Sequence, residues 1–465
     1  MAFTLAFPGR APVAYGRRAV PQLFEELQKP EPEDKMRALN SLCDLLHDPE
    51  HLYQTVRSGL LETLNPLLRD PDSTVRTRTC DLLRQVAAHS IGCRALLLPS
   101  LVASLSLLLD DPHSGCRVAV HRILNLLALL PSGADVLLSL VPKLMLRLTD
   151  TLLETNEEDG AEELGSKETA QEEGSKETTL EEGSKEEDEV EENDKGVEER
   201  KGKDGNEEIR DEEGETEQGF EESKEENEEL EEDENQEEIK RDKGQKEGEK
   251  EQGDKQVNIK QEQQEQEEEE MVLLLSTLTR CSYLDPLPAL ASDGVKLLRD
   301  KLAHSSAHVR REAAAAMLAL SIPMEGKQQL CDLGVLSDLI PLLQDQDTEV
   351  RANAAGVCAF TFVVTTGKVQ GVELGLIPIL LDIVSLEELS TDSLVSVGRV
   401  NKDLLQRRKT LLLYCLRALS VVSDYPAARR LLLEERPLLE RRTDTDPELR
   451  QATQSVLKAI SWSPL

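Results

Sequence analysis

The chain has 465 residues, of which 91 are acidic and 54 basic, and its formal net charge at pH 7 is -37. Nearly all of this charge lies in residues 154–270, which contain 52 Asp and Glu but only 16 Lys and Arg, so the low pI describes one segment of the protein. Because no uninterrupted apolar stretch reaches the roughly 20 residues that cross a membrane, and because basic residues elsewhere are mixed with acidic ones, we expect neither a membrane protein nor a nucleic-acid-binding protein.

Residues 1–20 are predicted to be an N-terminal extension without a secretory signal. Their short apolar run has no basic residue before it, and Pro8 interrupts the run. A signal peptide instead has a basic region followed by an unbroken apolar stretch.

Residues 21–155 begin a series of predicted helical repeats. The recurring element has two leucines, a short polar turn whose Asp or Ser can cap the next helix, and an aliphatic residue followed by Arg, and some copies match it only loosely. The clearest copies are L-L-R-D-P-D-S-T-V-R (67–76) and L-L-Q-D-Q-D-T-E-V-R (342–351). The arginines recur at steps of about 40 residues, the period of armadillo and HEAT repeats. The structural repeat signature comprises Asp70, Arg76, Asp111, Arg117, Arg310, Asp345, Arg351 and Arg450.

Two series of glycines keep the same period as the arginines. The first series is Gly92, Gly133, Gly326 and Gly367, and the second is Gly294, Gly334 and Gly375. Glycine often ends a helix because it adopts the left-handed conformation without steric cost. We therefore interpret both series as helix ends.

Residues 156–266 are predicted to be a disordered, acidic, low-complexity insert. They contain G-S-K-E three times, followed by long glutamate runs with only isolated apolar residues, and so cannot bury a core. The step from Arg117 to Arg310 is far longer than two periods, so the insert splits one repeat at the turn between 140–148 and 271–279. Three interpretations stay open: a solvated expansion without a partner, a lure for a basic protein, and a partly helical spacer.

Residues 267–465 are predicted to be a second block of repeats. A longer loop is expected at 385–402, because the step from Arg351 to Arg408 clearly exceeds one period. About seven repeats in two blocks predict an all-α fold, an armadillo/HEAT-like right-handed helical solenoid with a long disordered acidic insertion.

No group of residues has the spacing of a catalytic, cofactor or metal site. The chain lacks a P-loop, G-x-G-x-x-G and H-E-x-x-H, and its eight cysteines occur singly, as is typical of a reducing compartment. His304 and His308 are close in sequence but lie in a predicted turn, and the pair Gly326-Lys327 lacks the Ser or Thr of a phosphate loop. We expect a protein that is not an enzyme, uses no cofactor and acts on no small-molecule substrate.

Several stretches resemble the radial spoke head 14 homologue family. The specific one is A-P-V-A-Y-G-R-R-A-V-P (11–21) followed by R-A-L-N-S-L-C-D-L-L-H-D-P-E (37–50). In the same order come A-H-S-I-G (88–92), M-E-G-K-Q-Q-L (324–330) and R-A-N-A-A-G (351–356). The resemblance covers parts of both repeat blocks but neither the acidic insert nor the stretch after Leu386. It implies a structural subunit of the axonemal radial spoke that contacts other radial spoke proteins, resides in the cytoplasm and cytoskeleton of the cilium or flagellum, and contributes to motility.

Two other functions remain open at this point. A soluble armadillo adaptor of the importin or catenin kind binds extended peptides through a ladder of Asn on its third helices. The ladder position here has Gln85, Leu126, Ala319 and Phe360, and Asn125 misses it by one residue. An assembly chaperone would instead use the acidic insert to shield basic protein clients.

Overall fold

A computed structural model describes residues 18–149, 261–386, 402–442 and 444–461. All regular secondary structure in these ranges is helical, which confirms the predicted all-α class. Outside the described residues lie most of the predicted N-terminal extension (1–17), most of the predicted insert (156–260) and most of the predicted long loop (387–401), together with the end of the first predicted repeat block (150–155).

The first described range contains short and long helices in alternation. They are α1 (Ala19–Glu26), α2 (Pro32–Leu45), α3 (Pro49–Arg57), α4 (Ser73–Ala87), α5 (Ser90–Ala95), α6 (Pro99–Leu108), α7 (Ser114–Leu127), α8 (Pro131–Leu137) and α9 (141–149). A 3-10 helix, Leu60–Arg69, takes the place of an α-helix between α3 and α4.

The later ranges continue the same alternation. Their helices are α10 (261–284), α11 (Leu287–Leu290), α12 (Gly294–Lys301), α13 (Ala307–Leu320), α14 (Met324–Asp332), α15 (Leu339–Leu343), α16 (Thr348–Thr361), α17 (Thr365–Glu373), α18 (Leu376–Leu386), α19 (Lys402–Val422), α20 (Pro426–Glu434), α21 (Arg436–Arg441) and α22 (Pro447–Ser461).

From α3 onward the helices form successive units of three, with a short first helix, a second helix, which is the 3-10 helix Leu60–Arg69 in the first of these units, and a longer third helix; α2, which follows α1, holds the third position before them. The third helices are α2, α4, α7, α10, α13, α16, α19 and α22. Consecutive third helices pack on one another, as α4 does on α7 and α16 on α19. This arrangement is consistent with an α-solenoid, in which each unit buries its apolar side against its neighbours.

Local sequence explains where the third helices begin. Asp72, Ser306 and Asp347 each precede a third helix, and their side chains accept hydrogen bonds from main-chain amides of its first turn. Such capping satisfies amide groups that have no partner inside the helix. The predicted capping by Asp or Ser is confirmed at these positions.

The core is built from leucine and alanine and crosses the point where the insert divides a unit. Leu144 and Leu148 of α9 and Leu274 and Leu278 of α10 are almost fully buried in the same apolar cluster. Helices that lie on opposite sides of the insert in sequence therefore complete one three-helix unit.

Among the described residues, no single helix is both long and apolar enough to cross a membrane. The pair Thr365–Glu373 and Leu376–Leu386 meets the length and composition test only when the two are joined, across a bend of 77°.

Three predicted boundaries need correction. Ala19 and Val20 belong to α1 and are buried, so the first unit begins inside the predicted extension. Residues 261–266 are helical although they fall inside the predicted disordered insert. Residues 385–386 end α18 and Lys402 begins α19, although all three fall inside the predicted loop. Residues 261–266 are helical because glutamine and glutamate favour helix and because α10 also contacts the preceding unit. The low-complexity composition of the insert gave no sign of these contacts.

The interpretation of the first glycine series as helix ends is wrong. Its members lie in the first turn of a short first helix, and a β-carbon there would collide with a main-chain oxygen at the end of the preceding third helix. The colliding pairs are Gly92 with Val86, Gly133 with Leu127, Gly326 with Leu320 and Gly367 with Thr361. In the second series, Gly334 and Gly375 do end helices, with φ of 67° and 69°, whereas Gly294 begins α12.

Candidate functional site

A guanidinium–carboxylate bridge joins the second and third units. Arg76, in the first turn of α4, donates from Nε to Oδ2 of Asp111 at 2.7 Å and from Nη2 to Oδ1 at 2.9 Å. Its Nη1 donates to the main-chain oxygens of Asp70 at 2.9 Å and Pro71 at 3.1 Å. One arginine thus fixes the turn that precedes its own helix and bonds the equivalent turn of the next unit.

The same bridge recurs elsewhere in the chain. Arg310 Nε donates to Asp345 Oδ2 at 2.7 Å, and its Nη1 donates to the main-chain oxygens of His304 and Ser305. In the first unit a lysine replaces the arginine, and Lys35 Nζ donates to Asp70 Oδ2 at 2.7 Å. In all three pairs, donor and acceptor are 35 residues apart.

The aspartates of these bridges also order their own turns. One carboxylate oxygen of Asp70, Asp111 and Asp345 accepts the main-chain amide two residues later, at 2.8 to 3.0 Å. Each turn is therefore bonded from within and from the preceding unit. The repeat signature predicted from sequence is, at these positions, a set of bonds between units.

Electrostatics favour the charged form of both partners. Burial acts to raise the pKa of Asp111, but the hydrogen bond from Arg76, the His113 amide and the charge of Arg76 outweigh burial and lower it. The hydrogen bond to Asp111 raises the pKa of Arg76. The same balance lowers the pKa of Asp345 beside Arg310. The opposite charges thus stabilise one another in a partly buried setting.

The joint at the split unit uses a different acid. Arg117, the counterpart of Arg76, donates from Nε to Glu270 at 3.0 and 3.1 Å and from Nη1 to the main-chain oxygen of Asp111 at 3.0 Å. Glu270 lies in α10, 153 residues further along the chain, and is 5% exposed. Beside it, Arg122 and Glu269 form a half-exposed bidentate pair with both distances at 2.7 Å.

Two more side chains surround Glu270. Arg147 Nη2 lies 3.5 Å from its Oε1, so one carboxylate faces two guanidinium groups. His121 Nε2 lies 3.7 Å from the same oxygen. Burial first, and then the charges of Arg147 and Arg117, lower the pKa of the fully buried His121 to about 3. The imidazole is therefore neutral near pH 7, and its contact with Glu270 is not an ion pair.

The remaining signature residues have other surroundings. Arg351 lines a cavity of about 440 Å³ together with Ile379 and Arg408, and Arg450 is exposed in α22. Asp444, which precedes Arg450 by six residues, accepts from Arg442 of its own turn at 2.7 and 3.0 Å.

Sequence reasoning missed Lys35, Glu270 and Asp444. The constant spacing between Asp and the repeat arginine would have found Asp444, since Asp70, Asp111 and Asp345 keep it. The constant spacing between bridge partners would have found Lys35. No spacing signal could have found Glu270, because the insert separates it from Arg117.

Amide side chains on the third helices bond the neighbouring unit. Gln85 donates to the main-chain oxygen of Cys43 at 2.8 Å, Asn125 to that of Leu273 at 3.4 Å, and Asn353 to that of Arg311 at 3.2 Å. At the other positions of the proposed peptide-binding ladder, Ala319 is buried, Leu126 packs on the core and Phe360 is half-buried. These amides serve contacts inside the protein.

Groups that could carry chemistry are few. Within the part of the chain that the structure describes, no cluster of three or more His, Cys, Asp or Glu could hold a metal ion. All eight cysteines are buried thiols. Burial raises the pKa of Cys43, Cys281 and Cys331 to about 11 and that of Cys358 to about 12, which makes them poor nucleophiles at neutral pH.

Comparison with known proteins leaves the family open. No family model matches the chain. Two crystal structures of engineered proteins from the Northeast Structural Genomics Consortium are similar to it. One shares 16% identity at a TM-score of 0.44 and covers 96% of this chain and 99% of the engineered one. The other shares 14% at 0.36 and covers 86% and 96%. At these values neither similarity assigns a family or a function.

Proposed function

We propose that this chain is an armadillo/HEAT-type α-solenoid that acts as a non-enzymatic structural subunit of the axonemal radial spoke and contributes to the motility of cilia and flagella. The observation that carries the proposal is the resemblance of residues 11–21 and 37–50 to the radial spoke head 14 homologue family. The armadillo/HEAT class rests on the three-helix unit and its period of about 40 residues.

The bonds between units support a scaffolding role. A subunit that transmits force needs joints that resist bending, and the bridges of Arg76 with Asp111, Arg310 with Asp345 and Arg117 with Glu270 each tie one turn to the next unit. Their donors and acceptors are partly buried, where screening by salt is weak. Such joints hold binding surfaces at fixed distances from one another.

Extraction of the tagged full-length protein from ciliated cells tests the proposal. We expect it to stay with axonemes after detergent removes the membrane, and to co-purify with other spoke proteins after salt extraction. If it leaves with the soluble or nuclear fraction and never co-purifies with spoke proteins, the proposal is wrong.

An assembly chaperone is the second candidate, because residues 154–270 carry a net charge of -36 that attracts basic proteins. Deletion of residues 156–260 separates the two functions. The deletion must stop before residue 261, since α10 supplies Glu270 to the core of the split unit. A spoke subunit without the insert still joins axonemes, whereas a chaperone of this kind loses its basic clients. A peptide adaptor is less well supported, because the amides of the third helices already bond neighbouring units.

A further inference from the structure

The connection between α9 and α10 is the longest between two helices of one unit in the described part of the chain. It runs through residues 150–260, whereas residues 109–113 connect α6 to α7 and residues 344–347 connect α15 to α16. A short turn holds the second and third helices of a unit side by side. A connection as long as 150–260 does little to keep its two ends together, so α9 and α10 are held together by the contacts between them.

Charged side chains match across this joint. Arg117 of α7 and Arg147 of α9 face Glu270 of α10, at 3.0 and 3.5 Å. Next to them, Arg122 of α7 pairs with Glu269 at 2.7 Å. The basic groups of these pairs all precede the insert, and the acidic groups all follow it. The two sides of the joint therefore attract each other by opposite charge, whichever chain supplies them.

Apolar side chains make the joint specific for the shape of α10. The leucines that α9 and α10 bury in the common core are Leu144, Leu148, Leu274 and Leu278. Hydrogen bonds add to the fit, since Asn125 of α7 donates to the main-chain oxygen of Leu273 at 3.4 Å and Cys281 Sγ to that of Ala134 at 3.9 Å. Either side by itself would expose its leucines to water, which is unfavourable. Each side of the joint therefore requires the other.

A second copy of the chain supplies the same complement for this surface. Its α10 carries the same carboxylates and leucines, so it fits α7 and α9 of the first copy with every contact retained. The reverse also holds, and a pair of chains that exchange these helices has a two-fold axis and no unfilled joint. Exchange of an identical element between protomers is for this reason a low-cost route to a dimer.

We propose that α7 and α9 form an interaction surface for α10 of a second copy, so that two chains exchange the helices from α10 onward. Within one chain, a long connection keeps α10 at an effective concentration of about a millimolar or less. The closed single chain therefore predominates in dilute solution, and the exchanged dimer forms where the local concentration of the protein approaches that value. The exchange does not depend on the place of the protein in the axoneme.

Two full-length variants with opposite charge reversals test the proposal. One has Glu270→Arg, and the other has Arg117→Glu together with Arg147→Glu. Each variant alone brings like charges together in its joint. When the two are mixed and exchange α10, one joint has the wild-type charges and the other has them reversed, so opposite charges meet at both. Sedimentation velocity measures the mass, and we expect the dimeric fraction of the mixture to exceed that of either variant alone about tenfold or more.

The matched control applies charge reversals to a joint whose connections are short. Arg76→Glu and Asp111→Arg reverse the bridge between α4 and α7. The helices from α4 to α7 follow one another through short turns, so a mixture of these two variants should stay monomeric. An equal dimeric fraction in this mixture would show that charge reversal itself, and not the split joint, causes the association.

Cross-linking measures the exchange with the buried charges left intact. Arg122→Cys and Glu269→Cys, placed in separate chains, alter only the half-exposed pair of the joint, and the eight native thiols are buried. A short bis-maleimide should join the two chains in a yield that rises with protein concentration. The control uses Arg430→Cys, at an exposed position of α20, in place of Glu269→Cys and should give little cross-linked dimer.

Two results would overturn the proposal. In the first, the mixture of charge reversals remains monomeric although circular dichroism shows that both variants are folded. In the second, cross-linking between positions 122 and 269 of separate chains does not exceed that of the control at any concentration. The second result decides by itself if a charge-reversed variant does not fold. Either failure leaves the axoneme test untouched, because that test measures where the protein is found.

Discussion

The joint between α4 and α7 and the joint between α7 and α10 place the same arginine in front of acids of different origin. At the first joint, Arg76 reaches Asp111, which lies in a turn 35 residues ahead. At the second, Arg117 reaches Glu270, which lies in the helix that follows the insert. The longer side chain of glutamate reaches the guanidinium from a helix, where aspartate does so from a turn. Contact in space, and not distance along the chain, defines the repeat.

The two joints also differ in the number of charges that they bury. Asp111 faces one guanidinium, whereas Glu270 faces those of Arg117 and Arg147 as well as a neutral imidazole. Removal of the Glu270 carboxylate therefore takes the counter-charge from two guanidinium groups, whereas removal of the Asp111 carboxylate takes it from one. Four predictions test how far this difference extends.

Glu270→Gln should have the largest effect. We expect the free energy of unfolding to fall by about 3 kcal/mol, since two partly buried arginines lose the buried carboxylate that neutralises them. Urea titration measures the loss. The neighbouring Glu269→Gln is the control, because its pair with Arg122 is half exposed and should contribute less than about 1 kcal/mol. Equal losses in both variants would show that burial of Glu270 is unimportant.

Gly133→Ala and Gly92→Ala should each cost about 2 kcal/mol, as is typical of a forced steric conflict. Both new β-carbons would collide with a main-chain oxygen of the preceding third helix. Gly133 lies in the first helix of the split unit and Gly92 at the equivalent position of the unit before it. Because the two contacts are built alike, thermal unfolding of the two variants should show similar losses of stability. A much larger loss for Gly133→Ala would mean that the insert also weakens this contact.

Asp111→Asn should cost about 1.5 kcal/mol, less than Glu270→Gln, because Asp111 faces a single guanidinium. Arg76 keeps its bonds to the main-chain oxygens of Asp70 and Pro71, and the asparagine oxygen still accepts one hydrogen bond. Urea titration of both variants under one condition gives the order. If Asp111→Asn proved the more harmful, the second guanidinium at Glu270 would contribute nothing.

The smallest effect concerns mildly acidic pH. The pKa of folded His121 is about 3, below its ordinary 6.5, so only the unfolded chain binds this proton as the pH falls below 6.5. Stability should therefore decrease by about 1 kcal/mol as the pH falls from 6.5 to about 5.5. The pKa of Asp111 is lowered from 3.8, so its stabilising effect persists above that pH and is lost only at more acidic pH.

His121→Phe isolates this contribution, because the variant cannot bind the proton and keeps a buried ring. We expect its stability, measured by urea titration, to vary less over this pH range than that of wild type. Burial also lowers the pKa of His304, but that residue is present in both proteins and cancels in the comparison. Identical pH profiles would refute the role of His121.

The sequence was sufficient for the repeat but not for the bonds between units. The repeated arginine element predicted where the third helices begin, and the Asp or Ser of its polar turn predicted the caps, because both depend on residues close in the chain. Sequence analysis could not find Glu270, because the insert lies between it and its partner Arg117. The first glycine series was misinterpreted because these positions need glycine to avoid a collision with the preceding third helix, and a contact between two helices cannot be read from the sequence.

The rate at which each buried thiol is labelled can report local unfolding of the unit that contains it. Six of the cysteines lie in third helices, namely Cys43, Cys80, Cys116, Cys281, Cys358 and Cys415. A thiol reacts with an alkylating reagent only when it is exposed and ionised, so each of these residues is protected while its unit stays closed. The time that each one takes to become labelled then reports how often that unit opens on its own. The opening of units before and after the insert can therefore be measured separately, without introducing any new cysteine.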